Sequence, residues 1–271
     1  MTYRIFLLAV LVPQLTAAAL VYVWAGAHAR GARGAKMYVG VLSLVAVAYT
    51  MPWDRWLIHH GVWTYPPGSV LGTIGSVPIE EYLFMIGQTA LVTLWALTVV
   101  RAPSRPLPRQ AIPNPTAPNP ARRRAICTAG WLAAAVAGGA VVGLGPHGGL
   151  YLSAIVAWYG PPLALQSAAG SDALRRGRRL RLMGLAPTVL LWASDALAIH
   201  AGAWQISPAH TLGVSAFGLP IEEAVFFLLT DLLVVNSVVL LADETVKARV
   251  AEWAGRLPAA RLGRRGEVSE T

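Results

Sequence analysis

The sequence predicts an all-α integral membrane protein. It has seven transmembrane helices in a 3+1+3 plan, with two parallel three-helix repeats, N-terminus out and C-terminus in. Three observations lead there. Of 271 residues, 55% are apolar and 13% charged, and the mean hydropathy is +0.53, an apolar excess and charge deficit relative to soluble domains. Seven apolar runs reach the roughly 20 residues a helix needs to cross a hydrocarbon core. One unusual group of polar residues occurs twice, in matching positions of the two halves. The composition also excludes disorder, which pairs low hydrophobicity with high charge. The single Cys127 can form no internal disulfide and has no cysteine partner for a metal.

The runs are Tyr3–Gly26, Tyr38–Leu57, Pro78–Val100, Ala125–Leu144, Leu150–Ala169, Leu182–Ala201 and Leu219–Ala242. The first imitates a signal peptide through Ala27-His28-Ala29, but its apolar stretch exceeds a normal signal core, so it is expected to persist as a helix. Between the third and fourth runs, Arg101–Arg124 is rich in proline and arginine. Its X-Pro steps disfavour helix, which predicts an extended linker. After Ala242 the chain turns polar, and a short amphipathic helix with a frayed end is expected there. The expected division is 1–100 for the first repeat, 101–149 for the linker and connecting helix, 150–242 for the second repeat and 243–271 for a basic tail.

The net charge of +9 arises from 22 Lys and Arg against 13 Asp and Glu. Nucleic-acid binding would require the basic residues on the face of a soluble fold, whereas here they lie between apolar runs. With seven crossings, one face receives only Arg4 and Arg55. The other receives 20 of the 22: Arg30, Arg33, Lys36, six arginines of the linker, five over Arg175–Arg181, and six basic residues of the tail. That segregation marks the second face as cytoplasmic, and six or eight crossings would destroy it.

The repeat is explicit. Asp54, Ile58, His59, Gly61, Trp63, Pro67, Leu71 and Gly72 precede Pro78-Ile79-Glu80-Glu81; Asp195, Ile199, His200, Gly202, Trp204, Pro208, Leu212 and Gly213 precede Pro220-Ile221-Glu222-Glu223. The match continues to Phe84 and Phe226, and more weakly to Tyr3 and Tyr151, Pro13 and Pro161, and Leu15 and Leu163. Parallel repeats are related by an axis along the membrane normal, which places a shared site between them.

Proline and carboxylates at a helix start serve ordinary capping. Here, however, the motif is doubled, accompanied each time by Asp and His, and opens a membrane helix where charge is costly. Adjacent residues point about 100° apart on a helix, so one Glu of each pair is expected to face the bundle and the other to bond loop backbone. His59 and His200 can cap helix ends; Asp54 and Asp195 lie five residues earlier. Asp231, deep in the last run, is a candidate by its position, with Gln88 and Asn236 as potential neighbours. Trp53, Trp56, Trp63 and Trp204 read mainly as an interfacial belt, and any that turn inward can stabilise a cation. Without Glu-x-x-His or a multi-histidine cluster, no metal is expected. Gly143-x-Gly145-x-x-Gly148 follows a membrane helix and contains Pro146, so it is a tight loop rather than a nucleotide fingerprint. A retinal protein would need a lysine within the last helix, but the only lysines are Lys36 and Lys247. A membrane transporter of a protonated or lipophilic solute and a non-catalytic protein that binds an apolar ligand remain as alternatives to acid–base chemistry on an apolar substrate.

The doubled Pro-Ile-Glu-Glu, the Asp-x4-His-x-Gly-x-Trp ahead of it and the 3+1+3 plan resemble the membrane-embedded lycopene cyclases over residues 3–242. Of these the chain resembles the fused, single-chain form. The resemblance implies closure of the linear ends of lycopene to β-ionone rings without net redox change. One of Glu80/Glu81 and one of Glu222/Glu223 would supply acid and base, tuned by His59 and His200 and supported by Asp54, Asp195 and Asp231. Trp63, Trp204, Tyr82, Phe84 and Phe226 would bind substrate and stabilise the cation. A carboxylic acid in this role must hold its proton near neutral pH, which an apolar site and a second carboxylate favour. No cofactor is predicted, with reduced flavin left open. The implied partners are lycopene and related linear carotenoids, the bilayer of the cell membrane, and a homo-oligomer or an assembly of carotenoid enzymes. The halves differ where Arg55, His60 and Tyr65 stand opposite Ala196, Ala201 and Ile206.

Overall fold

A computed structural model describes residues 1–26, 32–101, 119–145 and 148–256. The helices are α1 (Tyr3–Trp24), α2 (Ala32–His59), α3 (Ile79–Arg101), α4 (Pro120–Val142), α5 (Leu150–Arg176), α6 (Arg178–His200), α7 (Ile221–Leu241) and α8 (Glu244–Arg256). A 3-10 turn at Pro208–His210 and three antiparallel pairs of two-residue strands complete the described elements: β1 (Trp63–Thr64) with β4 (Gln205–Ile206), β2 (Thr73–Ile74) with β3 (Val77–Pro78), and β5 (Ser215–Ala216) with β6 (Leu219–Pro220).

Among the described residues, α1, α2, α3, α4, α6 and α7 are long and apolar enough to cross a membrane. The fifth predicted segment also forms a helix, α5, but its prolines and polar residues keep it out of that set. Pro161, Pro162, Gln166, Ser167, Ser171 and Asp172 all lie within it. The expected extended linker is corrected at its end. Asn119 accepts a hydrogen bond from the Ala121 amide (2.9 Å) and Pro120 opens α4, so the helix starts five residues before the predicted Ala125. Asparagine as cap followed by proline is a favoured helix start. Its first residue, Arg101, ends α3; residues 102–118, Ala27-His28-Ala29 and the chain end beyond 256 fall outside the described residues. The amphipathic helix expected after Ala242 is α8.

Local irregularities have local causes. A π-helical turn at Leu7–Leu11 lies just ahead of Pro13, whose missing N–H and ring disrupt regular hydrogen bonding to the preceding turn. Helices α2 and α6 end in the same way: Gly61 and Gly202 adopt φ of 68° and 69°. Their amides bond Ile58 and Ile199 carbonyls, and the next amides reach Leu57 and Ala198. This left-handed cap needs glycine. It turns the chain so that Val62 and Ala203 are fully buried and Trp63 and Trp204 follow directly behind them.

α3 is the most enclosed of the apolar helices and packs on α1, α2, α6 and α7; α7 also packs on α5, while α4 lies at the periphery against α5. Small residues permit the close approaches. A Cβ on Gly160 would lie 2.6 Å from Ala135 Cβ, and one on Gly138 would lie 2.6 Å from the Ser153 carbonyl. Where the basic segments meet, Asp172 pairs with Arg124 (3.3 Å), Arg176 (3.3 Å) and Arg249 (3.6 Å), and Asp243 pairs with Arg176 (2.8 Å). Part of the basic charge therefore ties α4, α5 and α8 together. Enlarging the α4–α5 seam by Gly160→Leu is expected to cost about 1–3 kcal/mol of stability, read as a lowered midpoint of thermal unfolding in detergent.

Candidate active site

Each Pro-Ile-Glu-Glu motif spans a hairpin strand and the first turn of α3 or α7. The first Glu of each pair looks back at the loop. Glu80 accepts the Leu71 amide (2.8 Å), and Glu222 accepts the Leu212 amide (2.6 Å); both are fully buried. The second Glu points between the helices. Glu81 accepts the hydroxyls of Tyr3 (2.9 Å) and Tyr65 (3.0 Å). Glu223 accepts the hydroxyl of Tyr151 (2.8 Å) and the indole N–H of Trp63 (3.2 Å). Tyr3 and Tyr151 start α1 and α5, so the opening helix of each half supplies one phenol to that half's glutamate. Trp63 belongs to the first half but serves the glutamate of the second. The β1–β4 ladder, with Trp63 opposite Ile206, brings it there.

Glu81 and Glu223 line one cavity of about 30 Å³, with Tyr3, Trp63, Tyr65, Asp195, Trp204, Ile206 and the rings of Phe84, Phe226 and Phe227 around them. Asp195 accepts the Trp204 indole N–H (3.1 Å). Asp54, fully buried, has both glutamates Glu81 and Glu223 within electrostatic reach, and its carboxyl oxygens have no hydrogen-bond partner. Three carboxyl groups, Glu81, Asp195 and Glu223, thus line one aromatic cavity with Asp54 buried near them, and among the described residues no Lys, Arg or His forms an ion pair with any of the four. The donors to Glu81, Glu223 and Asp195 are neutral phenols and indoles. Burial, and then the nearby Glu81 carboxyl, push the Tyr65 phenol well above its ordinary range, so it remains a neutral donor.

The aromatic wall is continuous. Trp204 lies 4.7 Å from Tyr3 and 5.0 Å from Phe6, edge-on to the latter; Phe226 meets Trp63 at 5.7 Å and Phe227 at 5.3 Å, both near perpendicular. Ring faces directed at a shared cavity attract a cation.

Several predicted site residues lie elsewhere. His59 and His200 are exposed at the ends of α2 and α6, so they cannot tune the glutamates directly. The reason is rotational: five residues on a helix turn about 140° away, so burying Asp54 and Asp195 sends the histidines outward. Tyr82 is half-buried and its hydroxyl bonds the Ile74 carbonyl (3.4 Å), which places it on the hairpin rather than in the cavity. Asp231 is fully buried but forms a separate polar node, accepting from Thr188 (2.7 Å) on α6 and Gln88 (3.1 Å) on α3. It lies eight residues beyond Glu223, about 12 Å along α7. Asn236 joins Arg181 and Gln166 instead. Sequence reasoning did not assign Tyr3, Tyr65, Tyr151, Phe6 or Phe227 to the site. The Tyr3/Tyr151 match between repeats was the available signal for two of them; the others carry no repeated pattern.

A family model described as Lycopene cyclase matches residues 3–98 and 149–241, stretches that contain both hairpins and the buried Asp54, Glu80, Glu81, Asp195, Glu222, Glu223 and Asp231. The chain is 40% identical over 247 residues to a lycopene beta-cyclase of Halobacterium salinarum, covering 89% of this chain and 96% of that protein. It is 32% identical over 206 residues to a bifunctional lycopene cyclase/phytoene synthase of Aspergillus oryzae, covering 74% of this chain and 34% of that longer protein. A protein of the same description from Podospora anserina is 35% identical over 205 residues, covering 73% of this chain and 34% of its own length. No solved structure matches the chain. With both matched stretches converging on one carboxyl-lined cavity, the chain belongs to the lycopene cyclase family.

Proposed function

We propose that this chain is a lycopene beta-cyclase that closes linear carotenoid ends into β-ionone rings by acid–base chemistry, with Glu81 and Glu223 as the proton-transferring pair. One observation carries the reading: two glutamates, one from each half, line a single buried aromatic cavity and are held by neutral donors. A proton delivered to C2 of the terminal C1=C2 bond leaves a cation at C1. The electrons of the C5=C6 bond then form the C1–C6 bond and move the cation to C5. Loss of the C6 proton to the second carboxylate restores the double bond, so protons and electrons balance without a redox partner. This is the ground for proposing no cofactor. The cavity is far smaller than a linear carotenoid end, so substrate entry requires the surrounding rings to move aside.

Two carboxyls suit this chemistry because general acid and base must both reach one reacting end. Phenols and indoles can hold a carboxyl whether or not it carries a proton, whereas a bound arginine would lock it ionised. Glu80 and Glu222 act as positioning residues through the Leu71 and Leu212 amides. The reading also takes seven crossings in the 3+1+3 plan, N-terminus out, in the cell membrane, supported by the 20 basic residues assigned to one face and by the run of α5 from Leu150 to its kink at Gly170. On that topology, 1–100 and 150–242 are the two halves of one site, with 101–149 and 243–271 outside it.

In lycopene-producing cells, Glu81→Gln and Glu223→Gln are expected to lower β-carotene by about 10²–10⁴-fold, with the protein still inserted. Glu80→Gln and Glu222→Gln keep an acceptor for the loop amide and are expected to retain most activity; equal loss at all four positions would remove the division of roles. Tyr3→Phe and Tyr151→Phe each delete one hydrogen bond to a glutamate, worth about 1.5–3 kcal/mol when the partner is charged. They are expected to slow cyclisation, whereas His59→Ala and His200→Ala leave the pigment profile unchanged.

A further inference from the structure

Below the cavity, α1, α3 and α6 enclose an apolar groove of about 370 Å³, lined by Pro13, Ala17, Val21, Leu91, Pro187 and Leu190. The same three helices line the cavity through Tyr3, Phe84 and Asp195. From Phe84 to Leu91 and from Asp195 to Leu190 the separation is about 8–10 Å along the helices. Ala17 and Leu190 are exposed on the outer surface, so the groove opens sideways. Its upper end is marked by Gln14, which donates to Ser194 (2.7 Å), the neighbour of Asp195. At its lower end the Trp95 indole N–H is tied to the Met183 carbonyl (2.9 Å).

The repeat predicts a second groove between α5, α7 and α2, and there the structure differs. The positions of Val10, Leu190 and Ser194 are taken by Trp158, Tyr49 and Trp53. Trp158 stacks on Trp53 at 5.7 Å and packs on Tyr49 at 5.0 Å, and the Tyr49 hydroxyl donates to the Trp158 carbonyl (2.6 Å). Lower down, Gln166 replaces Ala18 and donates to the Leu233 carbonyl (2.8 Å) and Ser237 (3.0 Å), the counterparts of Leu91 and Trp95. Tyr49 and Gln166 thus occupy two positions that line the first groove, those of Leu190 and Ala18, and Trp158 and Trp53 stack beside Tyr49.

We propose that the α1–α3–α6 groove holds the polyene of a linear carotenoid while its end occupies the Glu81–Glu223 cavity, and that the occupied counterpart confines substrate entry to this one side. The proposal rests on the cyclase reading. The occupant is argued from a lining that is apolar apart from Gln14 and Trp95, both tied by hydrogen bonds, from the alignment with the cavity along shared helices, and from the side chains that occupy the position related to it by the repeat.

The test compares lycopene with a shortened apo-lycopenal that carries one intact linear end but is too short to reach Ala17 and Leu190. Leu190→Tyr, which installs the side chain found at the counterpart position, and Ala17→Leu are assayed as purified protein in liposomes. Both are expected to raise KM for lycopene about tenfold or more while leaving kcat/KM for the fragment within about threefold, because only binding of the distal chain is lost. Val12→Tyr, on the exposed face of α1 outside the groove, is expected to behave as the parent protein. Equal losses on both substrates would overturn the proposal, as a structural effect would produce them. Unchanged lycopene kinetics, with or without a loss of co-purifying phospholipid, would overturn it as well, the loss reassigning the groove to a lipid chain. Glu223→Gln is expected to fail on both substrates. Its activity on the fragment would sink the acid–base reading separately from the groove.

Discussion

The structure turns on burying carboxyl groups at the start of two apolar helices. A carboxyl withdrawn from water without partners is costly, and every surrounding feature answers that cost. The hairpins present the Leu71 and Leu212 amides to Glu80 and Glu222. The first residues of α1 and α5 present Tyr3 and Tyr151 to Glu81 and Glu223. The glycine caps of α2 and α6 direct Trp63 and Trp204 inward. The donors to Glu81, Glu223 and Asp195 are neutral, and the Asp54 oxygens have no hydrogen-bond partner, so no bound cation fixes these acids in the charged form.

Neither half can assemble this pocket alone. Glu223 depends on Trp63 from the first half, while Trp204 from the second packs on Tyr3 and Phe6 of the first. The exchange follows from β1 pairing with β4 across the two halves rather than within each. One composite cavity is the result. Tyr65 adds a second phenol to Glu81 where Ile206 stands opposite, so the two glutamates have different surroundings despite matching sequence motifs. On the proposed acid–base reading, that inequality is a physical basis for the two glutamates to take different roles.

The basic residues also do more than orient the chain. Arg124, Arg176 and Arg249 converge on Asp172, and Arg176 reaches Asp243. The arginine-rich end therefore fastens the peripheral helix α4 and the terminal helix α8 to α5. The glutamate end is held by aromatic packing and neutral hydrogen bonds instead. The two ends of the bundle thus rely on different forces, ion pairing where basic segments gather and hydrogen bonding where acids are buried.

The sequence by itself determined the helical class, the apolar runs, the hairpin-to-helix motifs and the family resemblance. Each rests on local chemistry: apolar length, proline and glycine at helix ends, and a repeat visible residue by residue. It also placed the carboxyls of Asp54, Glu80, Glu81, Asp195, Glu222 and Glu223 together at one end. Only the tertiary structure decided which of them meet in the cavity, since helix rotation turns Glu80 from Glu81 and His59 from Asp54. It likewise decided that Asp231 belongs to a separate node some turns away, and that Tyr3, Tyr65 and Phe227, ordinary residues in isolation, form the wall around Glu81 and Glu223. The extra turn of α4 and the stacking of Trp158 and Trp53 beside Tyr49 were equally hidden. Such features depend on which faces of distant helices pack together, and local pattern does not encode that relation.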